Sequence, residues 1–336
     1  MKAVGYTHCH PITHEDALLD LNLPEPGQPQ GQDLLIEIRA VAVNPVDTKI
    51  RRAADPFGEP RILGFDAAGV VIARGPDAKM FWVGQEVFYA GSIARPGSNA
   101  EQQLVDQRIV GIKPRSLSFA QAAALPLTSI TAWEGLFDRL GIIRGKAADG
   151  AAILIIGGAG GVGSIAIQLA RRLTGLKIIT TASRPETRAW CEHLGAHFVL
   201  NHTLPLAPQV KAIGLAVPYV FSTTHTEKHW ADIVEIIAPQ GRICLIDDLG
   251  AAPVQALKPK SASLHWEYMF ARPVHGTPDM IAQHRLLDEI SHMVDEGVIK
   301  TTLGEHFGKI DAANMIRAHA FQESGKAKGK IVLEGF

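Results

Sequence analysis

The pattern of hydrophobic and polar positions changes along the chain. Up to about residue 125, short apolar segments rich in β-branched residues are separated by glycine and proline. This pattern predicts short strands joined by turns, as in a barrel-like β domain. The clearest expected strands are DLLIEIRAVAVN at 33–44, GVVIARG at 69–75 and QEVFYAG at 85–91.

In the middle of the chain the spacing of apolar residues differs from that of the first 125 residues. AAILIIGG at 151–158 is a continuous apolar run, which is typical of a strand buried on both faces. Ile165, Leu169 and Leu173 then follow at helical spacing. Further strands and helices alternate after them, and this alternation predicts a doubly wound parallel sheet. The expected strands are KIITTAS at 177–183, HFVLNH at 197–202, VPYVFST at 217–223 and GRICLID at 241–247, with helices over 185–195 and around 229–240.

The last part of the chain, from about residue 264, combines both kinds of element. Helix-like segments are expected near 280–296 and 312–322, and the chain ends in a strand at 329–336. A chain of 336 residues is too long for one ordinary core, so we expect two domains in an α/β fold.

Composition excludes some partners. The 33 basic and 34 acidic residues give a net charge of −1, which offers no electrostatic reason to expect a nucleic acid or a membrane surface as partner. Three widely spaced cysteines suit a reducing compartment with free thiols. The first residues lack the apolar core of a signal peptide, and no apolar run could span a bilayer. A cytoplasmic location is therefore expected.

The strongest motif is GGAGGVG at 157–163. Gly158, Gly160 and Gly163 match the dinucleotide fingerprint G-x-G-x-x-G, and the motif lies between an expected buried strand and an amphipathic helix, as the fingerprint requires. Such a loop lets a pyrophosphate approach the backbone at the helix N-terminus. The predicted dinucleotide contacts are Gly158, Ala159, Gly160, Gly161, Val162 and Gly163.

The end of the next strand decides which dinucleotide is expected. A protein that binds NAD offers Asp or Glu there, about twenty residues past the last motif glycine. This chain has Ser183 and Arg184 instead. A hydroxyl and a guanidinium suit a 2′-phosphate, so NADPH is the predicted cofactor, although Arg184 as a solvated loop residue is the alternative.

Five segments together carry a resemblance to a known family: AVAVNPVDTKIR at 40–51, GFDAAGVV at 64–71, LPLTSITAWEGL at 125–136, GGAGGVG at 157–163 and ESGKAKGKIVLEGF at 323–336. The whole layout resembles the medium-chain dehydrogenase/reductase superfamily, in particular its quinone-oxidoreductase-like branch and the subgroup often called zinc-type alcohol dehydrogenase-like. The resemblance implies a GroES-like β-barrel catalytic domain over 1–125 and 271–336, a Rossmann NADP(H)-binding domain over 126–270, and a homodimer.

Zinc is not expected. Zinc-dependent members of the superfamily carry Cys, His, Glu or Asp ligands in three of these segments, and catalytic zinc needs three protein ligands. Here the three segments contain no Cys or His, and Phe65, which stands where the ligand histidine would be, has no donor atom. The residues at these places are Pro45, Val46 and Asp47, then Phe65 and Asp66, then Thr128 and Ser129.

Without a Lewis acid, hydride delivery to a quinone or to the β-carbon of an enone remains feasible, since only hydrogen-bond donors are needed for the developing oxygen charge. A small apolar electrophile is therefore the expected substrate. By resemblance, the candidate catalytic residues are Asn44, Asp47, Thr48 and Thr128, and Phe65 and Tyr89 are candidates for the substrate pocket.

Structural alternatives remain for several of these residues. Asp47 and Arg51 could form an ion pair on a short helix, and Asn44 could start a turn. Phe65 and Tyr89 could be core aromatic residues, and the lysines at 326, 328 and 330 are expected to be solvated rather than near phosphate.

Two other functions compete with the reductase. One is a zinc alcohol dehydrogenase with unusual ligands, and the other is a non-catalytic NADPH-binding protein of the crystallin type.

Overall fold

A computed structural model describes residues 1–145 and 150–336. The chain forms two compact units. The first unit contains both ends of the chain, Met1–Ile130 and Phe270–Phe336, and the second contains Thr131–Met269. Within the described residues no helix is long and apolar enough to cross a bilayer.

The strands and helices are numbered in chain order. The strands are β1 Lys2–Tyr6, β2 Leu19–Asn22, β3 Asp33–Val43, β4 Arg61–Ile62, β5 Ala67–Arg74, β6 Glu86–Tyr89, β7 Gln102–Asp106, β8 Val110–Ile112, β9 Ala152–Ile156, β10 Lys177–Thr181, β11 Phe198–Leu200, β12 Val217–Ser222, β13 Ile237–Leu245, β14 Ser263–Trp266, β15 Leu303–His306 and β16 Lys330–Glu334. The helices are α1 Pro45–Ala53, α2 Phe119–Ala123, α3 Pro126–Trp133, α4 Gly161–Leu173, α5 Pro185–Leu194, α6 Leu206–Ile213, α7 Thr226–Ile236, α8 Ala271–His275, α9 Ile281–Asp295 and α10 Ala312–Glu323.

The first unit is built around a seven-stranded sheet in which β3 is the central element. β3 pairs antiparallel with β5, β7 and β16, so the last strand of the chain lies beside the third. The path through this sheet is β15-β16-β3-β5-β6-β8, and a smaller sheet has the order β2-β1-β4. Its core includes Leu34, Ile36, Val71, Phe88 and Leu333, all fully buried. The predicted β-rich GroES-like domain is confirmed.

The second unit is a six-stranded parallel sheet of the predicted doubly wound kind. Its order is β11-β10-β9-β12-β13-β14, with β9 near the middle and every residue of β9 buried. The chain proceeds from β9 to β10 and β11 on one side, and then to β12, β13 and β14 on the other. In sheets of this type, ligands bind outside the carboxyl ends of the strands where this reversal occurs. Here the glycine-rich segment begins at the end of β9.

Some elements differ from the sequence prediction. Residues 237–240, expected to end a helix, belong to β13, which begins at Ile237. The edge strand β14 was not predicted because its half-exposed sequence, SLHW, has no apolar run. The helices predicted near 280–296 and 312–322 are present as α9 and α10.

Candidate functional site

The glycine-rich loop joins β9 to α4. Gly157 has φ +87°, in the left-handed region that favours glycine, and its N–H donates to Thr181 Oγ1 at 3.0 Å. Gly158 N donates to Thr181 O at 3.2 Å. The loop is therefore tied to the neighbouring strand β10, and Gly160 becomes the N-cap residue of α4.

Gly158 and Gly163 are required by close packing. A Cβ at Gly158 would overlap the Thr180 hydroxyl, and a Cβ at Gly163 would overlap the carbonyl oxygen of Gly157. At Gly160, by contrast, the nearest atom to an added Cβ would be Gly157 O at 3.4 Å. The predicted cofactor residues, Gly158 to Gly163, thus lie on one loop and the first turn of α4, and their contact with a phosphate stays a prediction.

Ser183 and Arg184 follow β10, as predicted, and Arg184 is the N-cap residue of α5. Its Nε lies 3.1 Å from Glu186 Oε1, and both side chains are substantially exposed. Exposed ion pairs of this kind contribute little free energy, so this pair adds little to the stability of the protein.

A set of basic side chains near Arg184 was not predicted from the sequence. We call Arg184, His202, His225 and Lys228 the basic cluster. Burial lowers the pKa of His202, and the charges of Lys228, His225 and Arg184 lower it further, so the four groups are within electrostatic range of one another. The strand register indicates that His202 lies near Arg184, since Thr181 and Leu200 are paired at the ends of β10 and β11. Residues just beyond two paired parallel strands meet at one edge.

In the first unit the structure brings Asn44 and Asp66 together. Asn44 Nδ2 donates to Asp66 Oδ2 at 2.9 Å and to Ala42 O at 3.3 Å, and its Oδ1 accepts a hydrogen bond from Lys330 Nζ. Asn44 is 1% exposed. Both amide protons are thus donated within the protein in this conformation, and the predicted contact of Asn44 with a substrate stays a prediction.

Asp47 lies next to this pair and accepts from two backbone amides. Its Oδ2 accepts from Asn44 N at 2.8 Å, which closes a capping box at the start of α1, and its Oδ1 accepts from Gly64 N at 3.0 Å. Burial raises the pKa of Asp47 to about 7. The alternative ion pair with Arg51 is not formed, because Arg51 binds Glu323 at 2.5 Å and the carbonyl of His10 instead.

Asp66 is bound to Lys330, whose side chain is buried. The Lys330 Nζ to Asp66 Oδ2 distance is 2.8 Å, and Asp66 Oδ1 accepts from Leu127 N at 2.7 Å. The expectation of a solvated lysine was wrong for Lys330, because β16 lies inside the sheet and not at a free chain end. We call Asn44, Asp47, Asp66 and Lys330 the polar network.

The hydroxyls of Thr48 and Thr128 donate within their own helical segments. Thr48 Oγ1 donates to Pro45 O at 2.9 Å, and Thr128 Oγ1 to Leu125 O at 3.1 Å. Both residues are buried. Their lone pairs remain available as acceptors, and their predicted role as donors to a substrate requires rotation of the hydroxyl.

The two candidate pocket residues are enclosed within the first unit. Phe65 is 2% exposed and its ring meets that of Phe270 edge-on, with centroids 5.4 Å apart. Tyr89 is fully buried and its hydroxyl donates to Gln103 Oε1 at 2.8 Å. Burial raises the pKa of Tyr89, so the phenol stays protonated. Neither side chain reaches the surface in this conformation, and their pocket role stays a prediction.

A zinc ion does not fit the residues present. Within residues 1–145 and 150–336, no group of three or more His, Cys, Asp or Glu side chains could hold a metal ion. Phe65 has no ligand atom, and the ammonium of Lys330 already occupies Asp66 Oδ2. A second cation beside that ammonium would be repelled.

Each of the two units contains a segment that matches a known protein domain. Residues 30–133 match the alcohol dehydrogenase GroES-like domain, and residues 161–263 match the zinc-binding dehydrogenase domain. A zinc-type alcohol dehydrogenase-like protein of Staphylococcus aureus (strain COL) is 45% identical over 335 residues, 99% of each chain. The chain belongs to the medium-chain dehydrogenase/reductase superfamily. It is thus an oxidoreductase that uses a nicotinamide dinucleotide.

Other members of the medium-chain dehydrogenase/reductase superfamily extend the comparison. The 2-methylene-furan-3-one reductase of Solanum lycopersicum is 30% identical over 99% of this chain and 79% of its own. A solved structure from Rhizobium etli CFN 42, whose assignment as a zinc-dependent alcohol dehydrogenase is provisional, has 57% identity and a TM-score of 0.96, covering 100% of this chain and 98% of that one.

Two more distant structures share the superfamily fold. A mycobacterial protein complexed with NADPH has 25% identity and a TM-score of 0.83, covering 99% of this chain and 100% of that one. The quinone oxidoreductase of Coxiella burnetii has 25% identity and a TM-score of 0.82, covering 100% of this chain and 99% of that one.

Proposed function

We propose that this protein is an NADPH-dependent reductase that delivers hydride to quinones or to α,β-unsaturated carbonyls without zinc. The observation that carries the proposal is the buried Lys330–Asp66 pair. Asp66 lies in a segment that supplies metal ligands in zinc-dependent members, and here its carboxylate binds the ammonium of Lys330 instead. A reductase named for an enone substrate and a quinone oxidoreductase among the relatives support the substrate class.

NADPH is preferred over NADH in this proposal because of the basic cluster. No Asp or Glu follows β10 directly; Ser183 and Arg184 do, with His202 and Lys228 nearby. Cationic and imidazole groups suit a 2′-phosphate and would leave a free ribose hydroxyl without a carboxylate partner. The NADPH complex of the mycobacterial relative is consistent with this preference.

The residues of the chain bind and orient; the bound dinucleotide supplies the hydride. The first turn of α4 and the glycine loop would hold the pyrophosphate, and the basic cluster would hold the 2′-phosphate. The hydroxyls of Thr48 and Thr128 turn from their helix carbonyls to the oxygen on which negative charge develops. Water supplies the proton that completes the reduction.

We also propose that the protein acts as a homodimer on small apolar electrophiles in the cytoplasm, without a nucleic-acid or membrane partner. The sheet of the second unit ends at β14, where Trp266 is 53% exposed. A second copy could cover this edge, since an exposed strand edge with an aromatic residue favours association.

The activity is tested by NADPH consumption with quinones, 2-enals and simple ketones, each with and without a chelator, together with metal analysis of the purified protein. We expect reduction of quinones and enones, little reduction of simple ketones, no chelator effect, and zinc well below one per chain. Ketone reduction that the chelator abolishes, with one zinc per chain, would instead establish a zinc alcohol dehydrogenase. Tight NADPH binding without turnover on any acceptor would favour the non-catalytic alternative.

A further inference from the structure

Lys330 is the only group of its polar network that carries positive charge, and it is almost completely buried. Its side chain is 3% exposed and that of Asp66 is 0% exposed. An ammonium has three protons to donate. Nζ uses them on Val43 O at 3.0 Å, on Asp66 Oδ2 at 2.8 Å and on Asn44 Oδ1.

These three contacts determine how the neighbouring groups are oriented. Because Asn44 Oδ1 accepts from the ammonium, the amide protons of Asn44 must point to Asp66 and Ala42. Because one oxygen of Asp66 is held by Lys330, the other is directed at Leu127 N, at the start of α3. Thr128, the next residue, is thereby placed through Asp66.

The network also has a charge requirement. Asp47 and Asp66 are two buried carboxyl groups, and the charge of Lys330 stabilises the ionised form of each against burial. Removal of the ammonium would leave both carboxyl groups without a compensating charge.

We propose that Lys330 is a positioning residue, whose ammonium orients the Asn44 amide and, through Asp66, the Thr128-bearing start of α3 for hydride transfer. This role rests on the reductase activity proposed above. The role concerns the chemical step, whereas the residues proposed to bind the phosphates of the cofactor belong to the second unit.

The test compares Lys330→Met with the double variant Asp66→Asn/Lys330→Met. Breaking a buried ion pair by removing one partner is strongly destabilising, whereas replacing both charges by neutral groups often is not. Lys330→Met should lower both the melting temperature and kcat. In the double variant the melting temperature should recover towards the wild-type value.

The decisive readout is kcat for quinone or enone reduction in that double variant. We expect kcat to remain about 10- to 100-fold below wild type, the range expected when reacting groups are misplaced. The dissociation constant of NADPH, measured by fluorescence titration, should stay within about twofold of the wild-type value. Lys309→Met, an exposed lysine of the same unit, is the matched control and should change neither quantity.

The outcomes separate this role from the proposed function. If kcat recovers together with the melting temperature in the double variant, Lys330 is merely structural and the positioning role is wrong while the reductase stands. A kcat equal to that of wild type in a folded Lys330→Met protein would also overturn the positioning role. If wild type reduces none of the acceptors, the proposed function fails, and the positioning role fails with it.

Discussion

At the scale of single residues, the polar groups of this protein are of two kinds. Those of the polar network are buried, donate or accept within the first unit, and are compensated internally. Those of the basic cluster belong to the second unit, where Arg184 forms an exposed ion pair with Glu186. The first kind maintains a geometry, and in the proposed function the second kind binds the 2′-phosphate.

Cofactor preference is a prediction at this scale. Replacing Arg184 by Glu should lower the NADPH-to-NADH ratio of kcat/KM about 10- to 100-fold, since charge-assisted hydrogen bonds contribute about 1.5–3 kcal/mol. Steady-state kinetics with both dinucleotides measures this ratio. Lys309→Glu introduces the same change of charge at an exposed position of the first unit and should leave the ratio unchanged. An unchanged ratio in Arg184→Glu would exclude the 2′-phosphate contact.

The preference should also depend on pH through His202. Its pKa is lowered in the free protein, so the imidazole is neutral near pH 7. A bound phosphate would raise that pKa, and binding would then take up a proton. NADPH affinity relative to NADH should therefore increase as the pH falls from about 8 to about 6.5, below which the phosphate itself begins to be protonated.

His202→Gln tests this pH dependence, measured as the two dissociation constants across that range. The variant should lose most of the slope, whereas His292→Gln, an exposed histidine of α9, should retain it. A slope that persists in His202→Gln would assign the proton uptake to another group.

At the scale of elements, close packing constrains the contact between β9, its loop and α4. β9 is buried throughout, and α4 begins directly after the glycine loop. The helix can lie this close to the strand only because Gly163 has no side chain. Both the strand and the helix were predicted from the sequence, because a continuous apolar run and a 3.6-residue period are local signals.

Two alanine substitutions separate packing from ligand approach in this loop. Gly163→Ala should destabilise the protein by about 1–3 kcal/mol, because its methyl group overlaps the backbone oxygen of Gly157. Gly160→Ala has room for its methyl group, so stability should change little while NADPH affinity falls as the methyl blocks the pyrophosphate. Urea unfolding and NADPH titration distinguish the two. Equal loss of stability in both variants would contradict this division.

At the scale of the whole molecule, both ends of the chain form one unit and the segment between them forms the other. Sheet order explains why: β16 pairs with β3, so the C-terminal strand completes a sheet that begins near the N-terminus. The proposed homodimer belongs to this scale, since it would cover an edge that the second unit leaves open.

The homodimer predicts a mass in light scattering of about twice the chain mass of 36.2 kDa. Trp266→Glu should shift the protein towards the monomer, because a charge would then have to be buried at the edge of β14. Trp82→Glu, an exposed tryptophan of the first unit, is the control and should leave the mass unchanged. A monomeric wild-type protein would exclude the dimer.

The sequence by itself determined the class of both domains, the dinucleotide loop and the lack of zinc ligands at the expected segments, because period, glycine spacing and residue chemistry are local properties. Only the tertiary structure decided that Lys330 meets Asp66, 264 positions away, that Arg51 meets Glu323 instead of Asp47, and that His202 joins Arg184. These contacts depend on which strands pair and in what register, and a register is set by the packing of the whole sheet rather than by neighbouring residues.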